Sequence, residues 1–147
     1  MNPDIKTTDK YFQAFDNIQE AQNILLVTHE RPDGDGLASV CAMINLLESL
    51  NKNYTAFCSD KPGPSFSFLP FIEKIISDKD FFNFKDFDLI IIFDCGGLNR
   101  TGLSKEIEGK SSQFIIEFDH HPRMDNYSDL EIRFPKAAAV SEILYYF

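Results

Sequence analysis

The sequence predicts an α/β fold in three layers: a mainly parallel sheet with helices on both faces. Three observations predict it. Apolar-rich segments stand at 24–28, 88–94 and 112–119, the first of them a continuous run, as strands of a covered parallel sheet require. Segments with apolar residues at helical spacing alternate with these runs. Finally, each run ends in a polar cluster, and in open sheets of this kind ligands sit outside the carboxyl ends of the strands.

Taken in order, residues 9–22 place Phe12, Phe15 and Ile18 at helical spacing, with Gln22 on the same row, and predict an amphipathic helix packed by its aromatic face. ILLVT (24–28) is a buried strand. HERPDGD (29–35) is a loop, because Pro and Gly break regular structure. Residues 36–50 carry Leu37, Val40, Cys41, Ile44, Leu47 and Leu50 on one side of a helix. A second strand follows at 54–59, then a Pro-rich loop at 61–71 with one helical turn. At 72–76 the pattern does not decide between helix and strand. The clearest strand spans 88–94. A Gly-rich loop at 96–102 leads into a short helix, strands follow at 112–119 and 129–134, and 138–147 is helical. No internal repeat is visible.

A length of 147 residues with 44% hydrophobic content suits one domain with a sizeable core, and the 15 phenylalanines read as its aromatic packing. The net charge of −9, with no dense Lys/Arg patch, argues against a groove for long nucleic acid. If the protein handles phosphates, bound cations must supply much of the positive charge. The three cysteines are odd in number and fit no zinc spacing. No apolar run approaches ~20 residues, and the start has no signal-peptide pattern. The expectation is a reduced cytoplasmic setting away from membranes.

The chemistry gathers at three strand ends. The first run leads to His29 and Asp33-Gly34-Asp35, the second to Asp94, the third to Asp119-His120-His121, and these clusters contain all three histidines of the chain. Singly, each cluster has a bland explanation; Asp35, for instance, suits a helix cap. If the strands are parallel, the clusters meet at one sheet edge. Imidazole with carboxylate then points to Mn²⁺, Zn²⁺ or Fe²⁺ over Ca²⁺, and the richness in carboxylate favours manganese or magnesium over zinc. A carboxylate bridging two metals ~3.5–4 Å apart suits phosphoryl transfer, where the pair clamps attacking and leaving oxygens. Gly34 is expected to let both flanking aspartates turn inward. The helix start near Gly36 is expected to point its positive end at an anion. No P-loop pattern occurs.

These segments resemble the DHH phosphoesterase superfamily. Thr28-His29-Glu30-Arg31-Pro32-Asp33-Gly34-Asp35 is similar to its first motif, Asp94 in IIIFDCGG to its second, and Asp119-His120-His121-Pro122 to the triplet that names it. The later AAAVSEILYYF resembles the family's A-A-S-T-S-E-x-x-Y stretch, while Ala38 stands where the first motif usually continues with glycine. The resemblance implies a DHH-type N-terminal domain and two divalent metals, Mn²⁺ by preference. It implies that His29, Asp33 and Asp94 hold one metal, and that Asp35, Asp94 and His120 hold the second, with Asp94 bridging. His121 would contact the substrate phosphate and Asp119 would support it or ligate. Arg100, just after Asp94, reads either as a clamp on a phosphate oxygen or as a solvated charge.

The activity so implied is hydrolysis of phosphate esters in short oligoribonucleotides, nucleoside bisphosphates or cyclic dinucleotides. The alternatives are a family II-type inorganic pyrophosphatase and a non-catalytic remnant that binds metal or nucleotide. Partners are then a small phosphorylated substrate or a short oligonucleotide, with self-association through the apolar face of the last helix. The family pattern also asks for a fourth motif and a smaller C-terminal substrate-binding domain. Neither lies within residues 1–147, which therefore read as a single truncated catalytic domain of weak or no activity alone.

Overall fold

The computed structural model describes residues 9–147. Six strands form one sheet in the order β3-β2-β1-β4-β5-β6: β1 (Asn23–Thr28), β2 (Asn53–Cys58), β3 (Ile75–Ile76), β4 (Leu89–Phe93), β5 (Phe114–Asp119) and β6 (Leu130–Arg133). Every pairing is parallel. The segment at 72–76 is both of its alternatives in turn, a 3₁₀ turn at Ile72–Lys74 followed by β3.

Strand alternation sorts the core into two layers. Ile24, Leu26, Ile91, Phe93, Ile116 and Phe118 face α1 (Asp9–Glu20), α2 (Gly34–Ser49) and α4 (Val140–Tyr146). Leu25, Val27, Ile90, Ile92 and Ile115 face the other way, toward the short α3 (Ser104–Glu108) and the 3₁₀ turn at Phe84–Asp86, with Phe84 and Phe87 packed inward. Both faces are covered, but the second by one five-residue helix and irregular turns.

The face that α1 buries differs from the expected one. Tyr11, Ala14 and Ile18 pack inward and Phe12 is exposed. Tyr11 meets the rings of Phe134 and Phe147, which pull the helix into that phase.

The connections set the position of the site. From β1 the chain moves outward to β2, and from β4 it moves the opposite way to β5, so the order reverses between β1 and β4. The loops leaving the two strands diverge there and open a crevice at their carboxyl ends. His29 follows β1 directly, Asp94 follows β4, and His120 follows β5 next door.

Candidate metal centre

Asp33 is the N-cap of α2: its Oδ1 accepts the amides of Asp35 (3.0 Å) and Gly36 (3.1 Å). The helix thus starts at Gly34, and its first free amides are answered by a carboxylate of the site itself. Burial pulls Asp33 upward, but those amides and the His29 ring outweigh it and hold the carboxyl below its ordinary range. Gly36 is the constrained glycine of this segment. A Cβ there would meet Thr28 Oγ1 at 2.4 Å and the His29 ring at 3.2 Å, whereas one on Gly34 would find Phe66 at an ordinary 3.7 Å. The turn expected of Gly34 is a helical first residue, and the tight approach of helix to strand falls two positions later.

Asp35 reaches across the molecule. Its two oxygens accept the amides of Val140 (2.7 Å) and Ser141 (2.9 Å), so it fastens the start of α4 to the start of α2. Nothing in the local sequence marks this bond, because its partner lies at a separation of 105 residues.

Asp94 sits in the left-handed region at φ 58°, a strained conformation for a non-glycine residue of the kind found at functional sites. It is buried among the other groups. Its Oδ2 lies 3.8 Å from His29 Nε2, and its Oδ1 lies 3.5 Å from His120 Nε2. His29 Nε2 is also 3.6 Å from Asp33, and His120 Nε2 is 3.9 Å from Asp35. Asp94 Oδ1 is buried without a hydrogen-bond donor. Such an orphaned carboxylate oxygen costs free energy unless a cation answers it. Burial, then repulsion from Asp35 and Asp33, pushes the Asp94 carboxyl up to about 7.

The imidazoles are oriented as metal ligands usually are, with the outer nitrogen on a backbone carbonyl. His29 Nδ1 is 2.7 Å from the Glu30 carbonyl, and His120 Nδ1 is 3.1 Å from that of Ala137. With Nδ1–H donating there, both Nε2 lone pairs face the carboxylates. These distances make His29, Asp33 and Asp94 one set that could hold an ion. Asp94, His120 and His121 form a second such set. In that second set, however, His121 Nδ1 is engaged elsewhere: it donates to Asp119 Oδ1 at 2.9 Å. Asp35 stands 3.9 Å from His120 Nε2 but outside this set, and each of its oxygens already accepts an amide at the head of α4.

Asp119 has no exposed surface. Oδ1 accepts both the amide (2.8 Å) and ring of His121, and Oδ2 accepts the amide of Gly96 (2.8 Å). Burial alone would raise its carboxyl, but the His121 bonds, Arg133 and the Gly96 amide bring it below its usual range. Asp119 therefore stands behind His121, whose ring is part-exposed. Arg100 places Nη2 2.8 Å from His29 Nδ1 and Nη1 3.2 Å from the Cys95 carbonyl. One nitrogen cannot donate to Glu30 and accept from Arg100 at once. In the tautomer that frees Nε2, Arg100 Nη2 has no acceptor on His29 and can turn to an anion, while Nη1 stays on the Cys95 carbonyl. Beside His121 and Arg100 opens a cavity of about 1040 Å³, walled by Gly96, Gly97, Asn99 and Asn126 among others.

Two members of this region were not foreseen from the sequence. Glu117 and Arg133 are both almost wholly buried, and they pair at 2.8 Å beneath the His121 loop. A charge in the middle of an apolar, doubly covered strand was the available signal, since it must find a partner.

A family model described as the DHH family, N-terminal domain, matches residues 23–147. The bifunctional oligoribonuclease and PAP phosphatase NrnA of Bacillus subtilis is 30% identical over 122 residues, covering 83% of this chain and 36% of the relative. A protein of Streptococcus mutans named as a probable enzyme of the same kind is 30% identical over 127 residues, covering 86% of this chain and 38% of the relative. The chain thus spans less than two fifths of the length of these curated relatives. Among solved structures, an exopolyphosphatase-related protein of Bacteroides fragilis superposes with a TM-score of 0.85 at 22% identity, over 92% of this chain and 42% of its own. RecJ of Thermus thermophilus, solved in complex with Mn²⁺, gives 0.59 at 17% identity, over 94% of this chain and 20% of its own. The chain belongs to the DHH family, as its N-terminal domain.

Proposed function

We propose that this domain is a metal-dependent phosphoesterase acting on short oligoribonucleotides and nucleoside bisphosphates. The observation that carries the reading is Asp94, whose two oxygens each face the Nε2 of a different histidine. That placement supports a bridging role for the Asp94 carboxylate. His29, Asp33 and Asp94 would hold one divalent ion; Asp35, Asp94 and His120 would hold the other. The oxygen-rich donor set with one imidazole per ion suits Mn²⁺. Ions bound there would supply Lewis acidity and an activated water for attack on phosphorus.

The remaining residues bind and orient. His121, its Nδ1 tied to Asp119, turns Nε2 outward toward a phosphate oxygen. Arg100 offers its Nη2 to a second oxygen once His29 takes up the Nδ1–H tautomer. The cavity beside them is of a size that admits the nucleoside portion of such a substrate. The acidic surface turns long polyanions away, and the names of the curated relatives support the same substrate class.

Calorimetric titration with Mn²⁺ tests the centre. Asp94→Ala is expected to abolish binding at both positions, whereas Asp33→Ala and Asp35→Ala each weaken mainly one. Equal loss from all three would contradict the bridge. His121→Ala is expected to spare metal binding and lower turnover. Hydrolysis of a short RNA, compared with pyrophosphate, tests the substrate class: faster release from pyrophosphate would replace this reading by that of a pyrophosphatase.

A further inference from the structure

The loop carrying His121 rests on a charged cluster on the second face of the sheet. Asp119 on β5 lies in register with Arg133 on β6, and Glu117 with Glu131. By strand alternation all four side chains share that face. The Arg133 side chain is only 7% exposed, and each of its nitrogens is engaged. Nη2 lies 2.8 Å from Glu117 Oε1, and Nε donates to Glu131 Oε1 at 2.7 Å. Nη1 donates to the main-chain oxygen of His121 at 2.6 Å and stands 3.3 Å from Asp119 Oδ2. Glu117 is sealed in turn by the Tyr127 hydroxyl at 2.5 Å and Ser128 Oγ at 3.3 Å.

Desolvating a guanidinium and several carboxylates leaves such a cluster with little net benefit to stability, and apolar side chains often serve a fold as well. Direction is what the cluster adds. It grips His121 at two points: at its carbonyl directly, and at its ring through Asp119.

We propose that Arg133 is a positioning residue of the site, setting where the His121 imidazole stands by holding the His121 carbonyl and the Asp119 carboxylate together, with Glu117 locking the guanidinium in place. The inference rests on the reading of His121 as the group that meets the phosphate.

The test compares Arg133→Met and Arg133→Lys, alone and in a His121→Ala background. Arg133→Met is expected to lower kcat on a short RNA by about 10–100-fold, as loss of an orienting partner does, while the Mn²⁺ titration stays unchanged. In the His121→Ala background the same substitution should cost nothing further, because its effect passes through that ring. An NMR measurement is independent of turnover. The His121 ring N–H held by Asp119 should give a protected low-field proton signal, lost in Arg133→Met and weakened in Arg133→Lys. A folded Arg133→Met that keeps this signal, or whose rate loss adds fully to that of His121→Ala, overturns the proposal. If the parent protein hydrolyses no phosphate ester yet the signal still disappears, positioning stands and the functional reading falls. Should Arg133→Met fail to fold in a thermal melt, Arg133→Lys carries both measurements.

Discussion

On the face covered by α1, α2 and α4, the strands present Ile24, Leu26, Ile91, Phe93, Ile116 and Phe118 to apolar partners. On the opposite face Leu25, Val27, Ile90 and Ile92 do the same for the central strands. There the outer pair β5 and β6 instead presents Glu117, Asp119, Glu131 and Arg133. The difference is one of directionality. Apolar packing is attractive from any angle, so it supplies stability without fixing any one side chain toward a ligand. Hydrogen-bonded charges tolerate few geometries, so they hold a loop in register. The Asp119-His120-His121 triplet begins on the last residue of β5, the strand whose two faces divide between these roles: Phe118 lies in the apolar layer and Asp119 in the charged one.

The comparison breaks most easily at Phe118, which stacks on Phe93 at 5.7 Å and meets Phe147 edge-on at 5.3 Å. Phe118→Ala is expected to cost about 3–5 kcal/mol of stability, as large-to-small changes in a filled core do, read from denaturant midpoints. A loss below about 1 kcal/mol, the ordinary value for a point substitution, would show that this layer is not where the stability lies.

A middle-sized effect belongs to the crevice between the faces. The Asp94 carboxyl is raised to about 7 by burial and by Asp35 and Asp33, so without metal the folded chain holds a proton there that the unfolded chain has released. A folded state that binds more protons loses stability as pH rises, here between roughly pH 4, the ordinary carboxyl value, and pH 7. Asp94→Asn should remove that slope. Unfolding in chelator at several pH values checks it, and identical slopes in both proteins would contradict the assigned cause.

The smallest expected change sharpens the contrast. Replacing Glu117 and Arg133 together by Leu and Met removes both members of the buried pair at once, with loss of the bonds that Tyr127, Glu131 and the His121 carbonyl make to them. Stability should shift by no more than about 2 kcal/mol in either direction, although the His121 loop loses its anchor. A fall as large as that of Phe118→Ala would mean that the charged layer also carries the fold.

Much of the fold was legible because burial on both faces writes unbroken apolar runs such as LLV in β1 and LIIIF in β4. The phase of α1 was not, because Tyr11 and Phe12 offer two aromatic rows, and only Phe134 and Phe147 decide between them. The site was legible as clusters at strand ends, and the tertiary structure brings His29, Asp33, Asp35, Asp94 and His120 together. The task of Asp35 at the head of α4 stayed hidden, as did the Glu117–Arg133 pair.

By itself, the sequence determined the alternation of buried strands and helices, the acidic surface, and the residue types that stand at the carboxyl ends. These are local properties, set by period, composition and turn chemistry along the chain. Only the tertiary structure decided which groups share an oxygen, which carboxylate caps which helix, and which arginine underlies the triplet. Those pairings depend on strand order and register between segments far apart in the chain, and a register shift of one residue would turn Arg133 away from Asp119 to the opposite face.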